Sequence, residues 1–343
     1  RRAIIIRPDY AEAHYNGGNA LMAMNNPHAA IDSYDLALSL KPDYPEALNN
    51  RAIVLVDLMR MDEAVANYDQ ALLLKPDYAE AYSNRGIPLA ALKRFDEAIA
   101  SYDKAIAFDA EYADAYWNKS AACLLIGDFH HGWELYEWRK KKKLPQGDRV
   151  FSKPCWLGGE PLSGKRIFVH AEQGLGDVIQ FSRYVACLNE RSAKVLFAPR
   201  ENLKALMRGL DGVHEIVDEY DDALEFDYHI PLLSLPLAFK TDISTIPAKR
   251  SYLAVAEDRV ARWRQQLGGH GFKIGICWQG SKNKIDAGRS FPVTKFHALS
   301  QLPNVRLISL HKGEGETQLA DLPSDMRVET LGDDFDSGAD AFL

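Results

Sequence analysis

The segment Pro42-Asp43-Tyr44-Pro45-Glu46-Ala47 recurs along the first part of the chain at a fixed interval. Its counterparts are Pro8-Asp9-Tyr10-Ala11-Glu12-Ala13, Pro76-Asp77-Tyr78-Ala79-Glu80-Ala81 and Ala110-Glu111-Tyr112-Ala113-Asp114-Ala115. Successive copies begin 34 residues apart. A repeat of this length is one supersecondary unit, which buries its apolar face only by stacking on its neighbours. The sequence therefore predicts an extended array of paired helices.

Residues suited to helix packing recur with the same period. Two positions in each copy hold small residues and a third holds a tyrosine: Gly18, Ala52, Gly86 and Ser120, then Ala30, Ala64, Ala98 and Gly132, then Tyr34, Tyr68, Tyr102 and Tyr136. Small side chains opposite large ones let two helices approach closely. The pattern resembles the tetratricopeptide repeat, a pair of antiparallel helices. We predict an α solenoid with a binding role over residues 1–146.

One further column of the repeat is polar. It consists of Asn16, Asn50, Asn84 and Asn118, each on the first helix of its unit. In repeats of this type the first helix lines the concave groove, and an amide offers both a donor and an acceptor to the backbone of an extended peptide. The column resembles the asparagine ladder of the protein O-GlcNAc transferases, which implies a peptide groove. The alternative is that the amides bond only within their own solenoid.

The last repeat differs from the others. Trp133 stands where the other units carry isoleucine or valine, and Trp138 stands where the second and third units carry glutamine and lysine. Because a terminal repeat must cover its outer face, we expect the two tryptophans to dock the next domain. The basic run at 139–143 is either a solvated helix end or a site for an anionic partner.

Composition narrows the classes of function. The net charge of −7 argues against general affinity for nucleic acid. No apolar run is long enough to cross a bilayer. The four cysteines stand apart, without the spacing of a zinc site or a disulfide framework: Cys123, Cys155, Cys187 and Cys277. We expect a cytoplasmic protein without a bound metal.

After residue 146 the repeat stops, and strand-like apolar runs alternate with helical patterns. We predict strands at 166–171, 194–198, 214–217 and 226–230, with helices at 177–189 and around 203–207. A second unit has predicted strands at 273–278 and 305–310 with a helix near 294–301. This alternation predicts parallel sheets wrapped by helices, in two domains at 147–256 and 257–343. The second domain is short for a doubly wound unit, so we expect it to be cut short at its C-terminal end, and the chain to begin inside a repeat.

Three loops follow predicted strands, where ligands of open α/β sheets bind. The first contains Gln173, Gly174 and Gly176, where glycine permits a tight turn, and then Asp177 at a helix start. Asp177 is either a functional carboxylate or an ordinary helix cap. The other two loops provide backbone amides, hydroxyls and cations that suit a diphosphate: Gly280, Ser281, Lys282, Arg289 and Ser290, then His311 and Lys312.

The order of these loops resembles the bacterial tetratricopeptide-repeat proteins that carry a C-terminal glycosyltransferase domain similar to the lipopolysaccharide heptosyltransferases, family nine of the glycosyltransferases. The resemblance implies a GT-B-like pair of Rossmann-type domains, the second incomplete here. It also implies inverting, metal-independent sugar transfer, with a nucleotide sugar as substrate and no cofactor. Asp177 matches the residue that activates the acceptor hydroxyl in that family. Arg289, with Lys282 as the second match, corresponds to the residue that contacts the donor phosphates. The later nucleotide-binding loop of the family would lie beyond Leu343.

Three functions remain open on the sequence. The first is a glycosyltransferase whose repeats recruit the acceptor, a protein or another molecule. The alternative is a non-catalytic tetratricopeptide scaffold for protein–protein interaction, with a protein or peptide in the repeat groove. A third interpretation makes the α/β part a nucleotide-binding regulator. The sugar, the nucleotide and the acceptor are not identified by the sequence.

Overall fold

The computed structural model of the protein describes residues 7–142, 151–219, 221, 223–249, 251–280, 290–332 and 335. The chain divides into two compact units. The first comprises Arg1–Ser152 with Pro236–Ile246, and the second comprises Lys153–Leu235 with Pro247–Leu343. The repeats lie in the first unit, and both β-sheets lie in the second.

Within its described residues the first unit contains four pairs of consecutive helices, which confirms the predicted solenoid. The first helices of the pairs are α1 (Ala11–Ala23), α3 (Pro45–Asp57), α5 (Ala79–Ala91) and α7 (Ala113–Ile126). The second helices are α2 (Pro27–Leu40), α4 (Met61–Leu74), α6 (Phe95–Phe108) and α8 (Phe129–Tyr136). A 3-10 turn, Glu137–Lys141, follows the last pair.

Proline and asparagine fix several helix ends. Helix α2 ends immediately before Lys41, which precedes Pro42, and the backbone of Lys41 has the extended ψ of 86°. A residue before proline is held away from the helical conformation, so the predicted stop at these prolines is confirmed. At the other end of α2, Asn26 Oδ1 accepts a hydrogen bond from the backbone N–H of Ala29 at 3.4 Å, which caps the helix.

The core of the repeats consists of tyrosine rings packed against small residues. Tyr34, Tyr68 and Tyr102 are almost completely buried, as are the alanines of the second small position up to Ala98. A Cβ atom added to Gly86 would lie 2.3 Å from the ring of Tyr102, so only glycine fits this contact without a shift. The predicted packing positions are confirmed, and their volumes decide how closely the helices approach.

Ion pairs join each second helix to the first helix of the next repeat at equivalent positions. They are Asp35 with Arg51 at 2.7 Å, Asp69 with Arg85 at 2.6 Å and Asp103 with Lys119 at 2.6 Å. The 34-residue spacing of the pairs shows that neighbouring repeats stack with one geometry throughout. Each pair adds a polar link beside the apolar contact.

The first sheet of the second unit contains β1 (Arg166–His170), β2 (Lys194–Ala198), β3 (Val213–Ile216) and β4 (Tyr228–Pro231). All neighbouring strands are parallel, in the order β3-β2-β1-β4, as in the first half of a doubly wound sheet. The helices that follow these strands in the chain are α9 (Leu175–Phe181), α10 (Val185–Asn189), α11 (Lys204–Met207) and α12 (Leu235–Ala238), and only the first residue of α12 belongs to the second unit. β1 and β2 are apolar and buried along nearly their whole length, as expected of central parallel strands.

The second sheet contains β5 (Phe272–Ile276), β6 (Val305–Ser309) and β7 (Val328–Glu329), parallel and in that order. Helix α13 (Glu257–Leu267) precedes β5, and α14 (His297–Ser300) precedes β6. The side chains of Ile276, Trp278 and Leu307 form the centre of its core. Parallel strands in both sheets confirm the predicted alternation of strands and helices.

Most predicted strands differ from the observed ones by one or two residues at an end, for example 226–230 against Tyr228–Pro231, and the first predicted helix of this part differs in its continuity as well. The helix predicted at 177–189 begins earlier, at Leu175, and a 3-10 turn, Ser182–Tyr184, divides it into α9 and α10. At this turn the hydroxyl of Ser182 donates to the carbonyl of Ile179 at 2.8 Å. A serine that bonds the preceding turn in this way competes with the regular helical ladder, and the apolar spacing of the segment does not reveal it.

Candidate functional site

The first helices of successive repeats contact one another directly. Helices α1, α3, α5 and α7 therefore form one continuous face, which we call the inner face. Solenoids of stacked helix pairs use such extended faces for binding.

A chain of hydrogen-bonded side chains runs along the inner face across three repeats. The hydroxyl of Tyr34 donates to Asn19 Oδ1 at 2.6 Å, and Asn50 Nδ2 donates to the same oxygen at 2.9 Å. Asn49 Nδ2 donates to Asn50 Oδ1 at 3.1 Å, and Asn84 Nδ2 donates to Asn49 Oδ1 at 3.2 Å. This amide network links the first helices of three neighbouring repeats.

Two of the four asparagines of the predicted ladder belong to the amide network, and two do not. Asn50 and Asn84 are half-buried and donate within the solenoid, as the alternative interpretation of the column expected. Asn16 is exposed, and Asn118 is half-buried. A role of the column in peptide binding stays a prediction.

Two members of the amide network were not anticipated. Asn19 and Asn49 do not recur with the 34-residue period, because Ile53 and Ser83 stand at their equivalent positions in following repeats. The only signal in the sequence is the doublet of asparagines in the second repeat. Asn49 is completely buried, and the 34-residue periodicity of the sequence does not indicate this.

The inner face is acidic at the start of every first helix. Glu12, Glu46, Glu80 and Asp114 lie in the first turns of α1, α3, α5 and α7, where the helix dipole favours negative charge. The cations within these four helices are Arg51, Arg85 and Lys119, and each pairs with an aspartate of the preceding second helix. The four acids are therefore not paired within these helices, but Glu12, Glu46 and Asp114 pair with lysines that lie outside them.

The basic run after α8 pairs with acids of the repeats. Lys141 Nζ lies 3.0 Å from Glu111, Lys142 Nζ lies 2.6 Å from Asp114, and Arg139 Nη1 lies 2.7 Å from Glu137. These contacts account for residues 139–142 without an anionic partner, while residue 143 lies outside the described residues. The tryptophans contact the last repeat: Trp138 stacks on Tyr116, and Trp133 meets Tyr136 edge-on. Docking of the next domain on these rings stays a prediction.

A cleft of about 930 Å³ lies in the second unit at the carboxyl ends of β1, β2 and β3. Gln173, Gly174 and Leu175, which follow β1, line it together with residues that follow β2 and β3: Pro199, Arg200, Glu201, Asn202, Lys204, Asp218, Glu219 and Asp221. Arg200 Nε donates to the carbonyl of Gln173 at 3.3 Å, which holds the loop against the cleft wall. Lys204 pairs with Asp218 and Glu201, and their carboxylates raise its pKa. The position of the cleft suits a polar ligand.

Asp177 does not line this cleft. It lies within the first turn of α9, and its Oδ2 accepts the backbone N–H of Gly174 at 3.2 Å. The glycines of the loop adopt ordinary backbone conformations, with φ of −65° at Gly174, and a Cβ added to Gly176 would meet nothing within 4 Å. The loop therefore forms no tight turn that requires glycine, and the observed role of Asp177 is helix capping.

Only some of the residues that were predicted to bind a diphosphate lie in the described part of the structure. Ser281, Lys282 and Arg289 lie outside the described residues. Gly280 donates its backbone N–H to the hydroxyl of Ser290 at 2.9 Å. His311 is buried, stacks on Trp278 with centroids 4.3 Å apart, and its Nε2 contacts the carbonyl of Glu314. His311 thus packs inside the loop after β6, whereas Lys312 beside it is exposed.

The described part of the chain contains neither a cluster of metal-binding side chains nor a helix that could span a membrane. No three histidine, cysteine, aspartate or glutamate side chains lie close enough together there to bind a metal ion. None of the helices there combines the length and the apolar composition needed to cross a membrane.

Comparisons with known proteins agree with the repeats. A family model described as TPR repeat matches residues 60–87 and 88–125, and one described as tetratricopeptide repeat matches residues 15–72. Protein FlbA of Caulobacter vibrioides is 25% identical over 235 residues. That match covers 62% of this chain and 39% of FlbA, so the chain spans about two fifths of the length of this relative.

Solved structures show similarity to part of the chain. MamA from Desulfovibrio magneticus is 21% identical, with a TM-score of 0.36, over 38% of this chain and 74% of that chain. PilF of Pseudomonas aeruginosa is 19% identical, with a TM-score of 0.39, over 42% and 66%. The first tetratricopeptide domain of RPAP3, solved with an HSP90 peptide, is 24% identical, with a TM-score of 0.33, over 34% and 92%. On the family matches, residues 15–125 are tetratricopeptide repeats.

Proposed function

We propose that the protein recruits partner proteins through its repeats and holds an extended segment of the partner against the inner face. The polar inner face is the observation that carries this proposal. The first helices of the four repeats lie side by side in this face and present Asn16 and acidic side chains to solvent. Tetratricopeptide repeats mediate protein–protein interaction, and an extended face of this kind fits a peptide better than a small ligand. We also propose a cytoplasmic setting, because no two of the four cysteines, all of which lie in the described residues, form a disulfide.

Binding can be tested with the two ladder residues that lie outside the amide network. A partner captured by the full chain is identified, and its affinity is measured by calorimetry. Asn16→Ala combined with Asn118→Ala should weaken binding about tenfold, because each amide can exchange hydrogen bonds with a peptide backbone.

The matched control is Gln70→Ala, an exposed amide on the second helix α4. It should bind the partner as the parent does. Equal affinity of the parent and the Asn16/Asn118 double variant would show that the ladder has no part in recognition.

Sugar transfer from a nucleotide sugar, by an inverting GT-B mechanism without metal, is a second candidate function. The cleft at the carboxyl ends of three parallel strands favours it. In this candidate the acceptor extends from the cleft to Asp177, which lies beside the cleft loop without lining the cleft and takes the proton of the acceptor hydroxyl, and the loops after β5 and β6 meet the donor phosphates. Asp177 would have to leave the N–H of Gly174 to act as a base.

A product assay with a panel of nucleotide sugars tests this candidate on the full-length protein. Asp177→Asn should lower turnover about 10²- to 10⁴-fold, and the amide oxygen of asparagine can still accept the N–H of Gly174, so the fold should persist. Undiminished turnover would leave Asp177 as a helix cap alone. Failure of every nucleotide sugar to bind the parent would remove the candidate and leave partner recruitment as the function.

A further inference from the structure

A lysine, a carboxylate and a tyrosine ring meet where one repeat joins the next. At the first junction Lys41 Nζ lies 3.4 Å from Glu12 and 4.3 Å from the ring centroid of Tyr44. The glutamate comes from the first helix of the repeat, the lysine from the end of its second helix, and the tyrosine from the start of the next repeat. The ammonium group is thus held between a carboxylate and an aromatic face.

The second junction has the same arrangement. Lys75 Nζ lies 3.6 Å from Glu46 and 4.5 Å from the ring centroid of Tyr78. At the end of the array Lys142 contacts the equivalent acid Asp114 at 2.6 Å. In three of the four repeats, therefore, the acid in the first turn of the first helix pairs with a lysine of this chain.

The third junction has the carboxylate and the ring without the lysine. Glu80 and Tyr112 occupy the equivalent positions, but Asp109 stands where Lys41 and Lys75 stand in the preceding repeats. Among the described residues, no ion pair joins Glu80 to a lysine or arginine, and no such cation lies over the ring of Tyr112. The carboxylate of Asp109 bends back to accept the backbone N–H of Glu111 at 3.0 Å.

The surroundings of this junction are negative. Burial and the neighbouring Glu80 carboxylate raise the pKa of Tyr112 to about 12, and Asp114 and Asp109 act in the same direction. Glu80 is exposed, and its Oε1 accepts a hydrogen bond from Asn49 at 3.4 Å, so it joins the amide network of the inner face. The carboxylate is neutralised by a lysine at the first two junctions, whereas at the third junction its negative charge is not compensated.

We propose that the third junction is a binding site for a lysine or arginine side chain of the partner segment, which takes the place of the absent lysine between Glu80 and Tyr112. This inference rests on the proposed function, that the inner face binds an extended peptide. Lys41 and Lys75 define the geometry that the incoming cation adopts. The partner segment therefore carries a lysine or arginine at this point, opposite the carboxylate of Glu80.

The test uses two labelled peptides of twelve residues and the full chain, with affinity measured by fluorescence anisotropy. One peptide has lysine at every third position, and the other has glutamine there. The parent should bind the lysine peptide more tightly, with a preference that falls as salt is raised. Asp109→Lys should fill the site from within and weaken the lysine peptide about tenfold, and Glu80→Gln should weaken it about fivefold.

Two matched controls separate the site from general attraction. Asp62→Lys changes the net charge as much as Asp109→Lys does, on an exposed position of α4, and should weaken binding less than twofold. Glu46→Gln removes the equivalent carboxylate of the preceding repeat, which already pairs with Lys75, and should also have an effect below twofold. Circular dichroism checks that each variant is folded.

A lysine peptide that binds the parent no better than the glutamine peptide overturns the inference. The inference is also overturned if Glu80→Gln and Asp109→Lys leave the affinity for the lysine peptide unchanged. The same holds if Asp62→Lys lowers this affinity as much as Asp109→Lys does. In these cases partner capture with the Asn16/Asn118 double variant still decides the proposed function independently. If partner capture fails while the lysine peptide depends on Glu80, the site exists and the recruitment proposal is wrong.

Discussion

The indole ring of Trp138 stacks on the phenol ring of Tyr116, with centroids 3.6 Å apart and ring planes within 3°. Tyr116 belongs to the first helix of the last repeat, and Trp138 lies in the 3-10 turn that follows its second helix. Lys141 Nζ lies 3.8 Å from the centroid of the same indole ring. The turn after the last repeat therefore closes the array at the place where a fifth repeat would stack.

Removing this stack should destabilise the end of the solenoid. Trp138→Ala should lower the free energy of unfolding by about 1–3 kcal/mol, less than for a fully buried tryptophan because the ring is half-exposed. A double-mutant cycle with Tyr116→Ala, followed by urea denaturation, should give a coupling energy of about 0.5–1.5 kcal/mol. Additive effects of the two substitutions would mean that the stack contributes nothing of its own.

The ion pairs between repeats should differ in the effect of their two partners. Asp69→Asn removes the exposed partner of a pair whose arginine is half-buried, and should cost about 0.2–1 kcal/mol, with a loss that shrinks at high salt. Arg85→Met should cost more, because Arg85 Nη1 also donates to the hydroxyl of buried Ser101 at 2.6 Å. Equal costs in denaturant titrations at low salt would contradict the second role of Arg85.

The amide network predicts unequal effects for asparagines that look alike in sequence. Asn49→Ala removes a buried donor and acceptor shared by Asn50 and Asn84, and should lower the free energy of unfolding by about 1–3 kcal/mol. The side chain of Asn16 is exposed, so Asn16→Ala should change the free energy of unfolding by no more than about 0.5 kcal/mol. Thermal and urea unfolding of the two variants measures the difference, and a smaller effect at Asn49 would contradict the network.

Periodicity made the repeats predictable. A column of small residues or of tyrosines keeps its meaning in every copy, so Ala30 and Tyr34 could be placed in the core from their spacing alone. Features that break the period could not be found in this way. Asn19 and Asn49 join the amide network through contacts between repeats. Asp109 is notable only by comparison with the preceding repeats, in which a lysine lies between the residues equivalent to Glu80 and Tyr112.

The α/β part shows a different limit. Apolar runs bounded by turns identified the strands, and their alternation with helices gave the parallel sheets. The direction of a side chain in a loop is not encoded by spacing. Asp177 stands at the expected helix start but turns back to Gly174, while Arg200 and Lys204, which line the cleft, have no motif that distinguishes them from surface cations.

The stability of the protein in acid should depend on Glu137, the first residue of the 3-10 turn that follows the last repeat. Burial alone would raise the pKa of its carboxyl, but the charges of Arg139 and Lys140 together hold it below the ordinary value of 4.5. A carboxylate with a lowered pKa in the folded state contributes stability above the pKa of the unfolded chain, and this contribution is lost as the pH falls through the folded value. The parent should therefore lose stability below about pH 4.5 more steeply than Glu137→Gln, which has no carboxylate to protonate. Urea titrations of both proteins from pH 3 to 7 measure the slopes, with Glu134→Gln, an exposed glutamate of the same segment, as the control. Parallel curves for the parent and Glu137→Gln would show that the charges of Arg139 and Lys140 do not favour the ionised carboxylate in the folded protein.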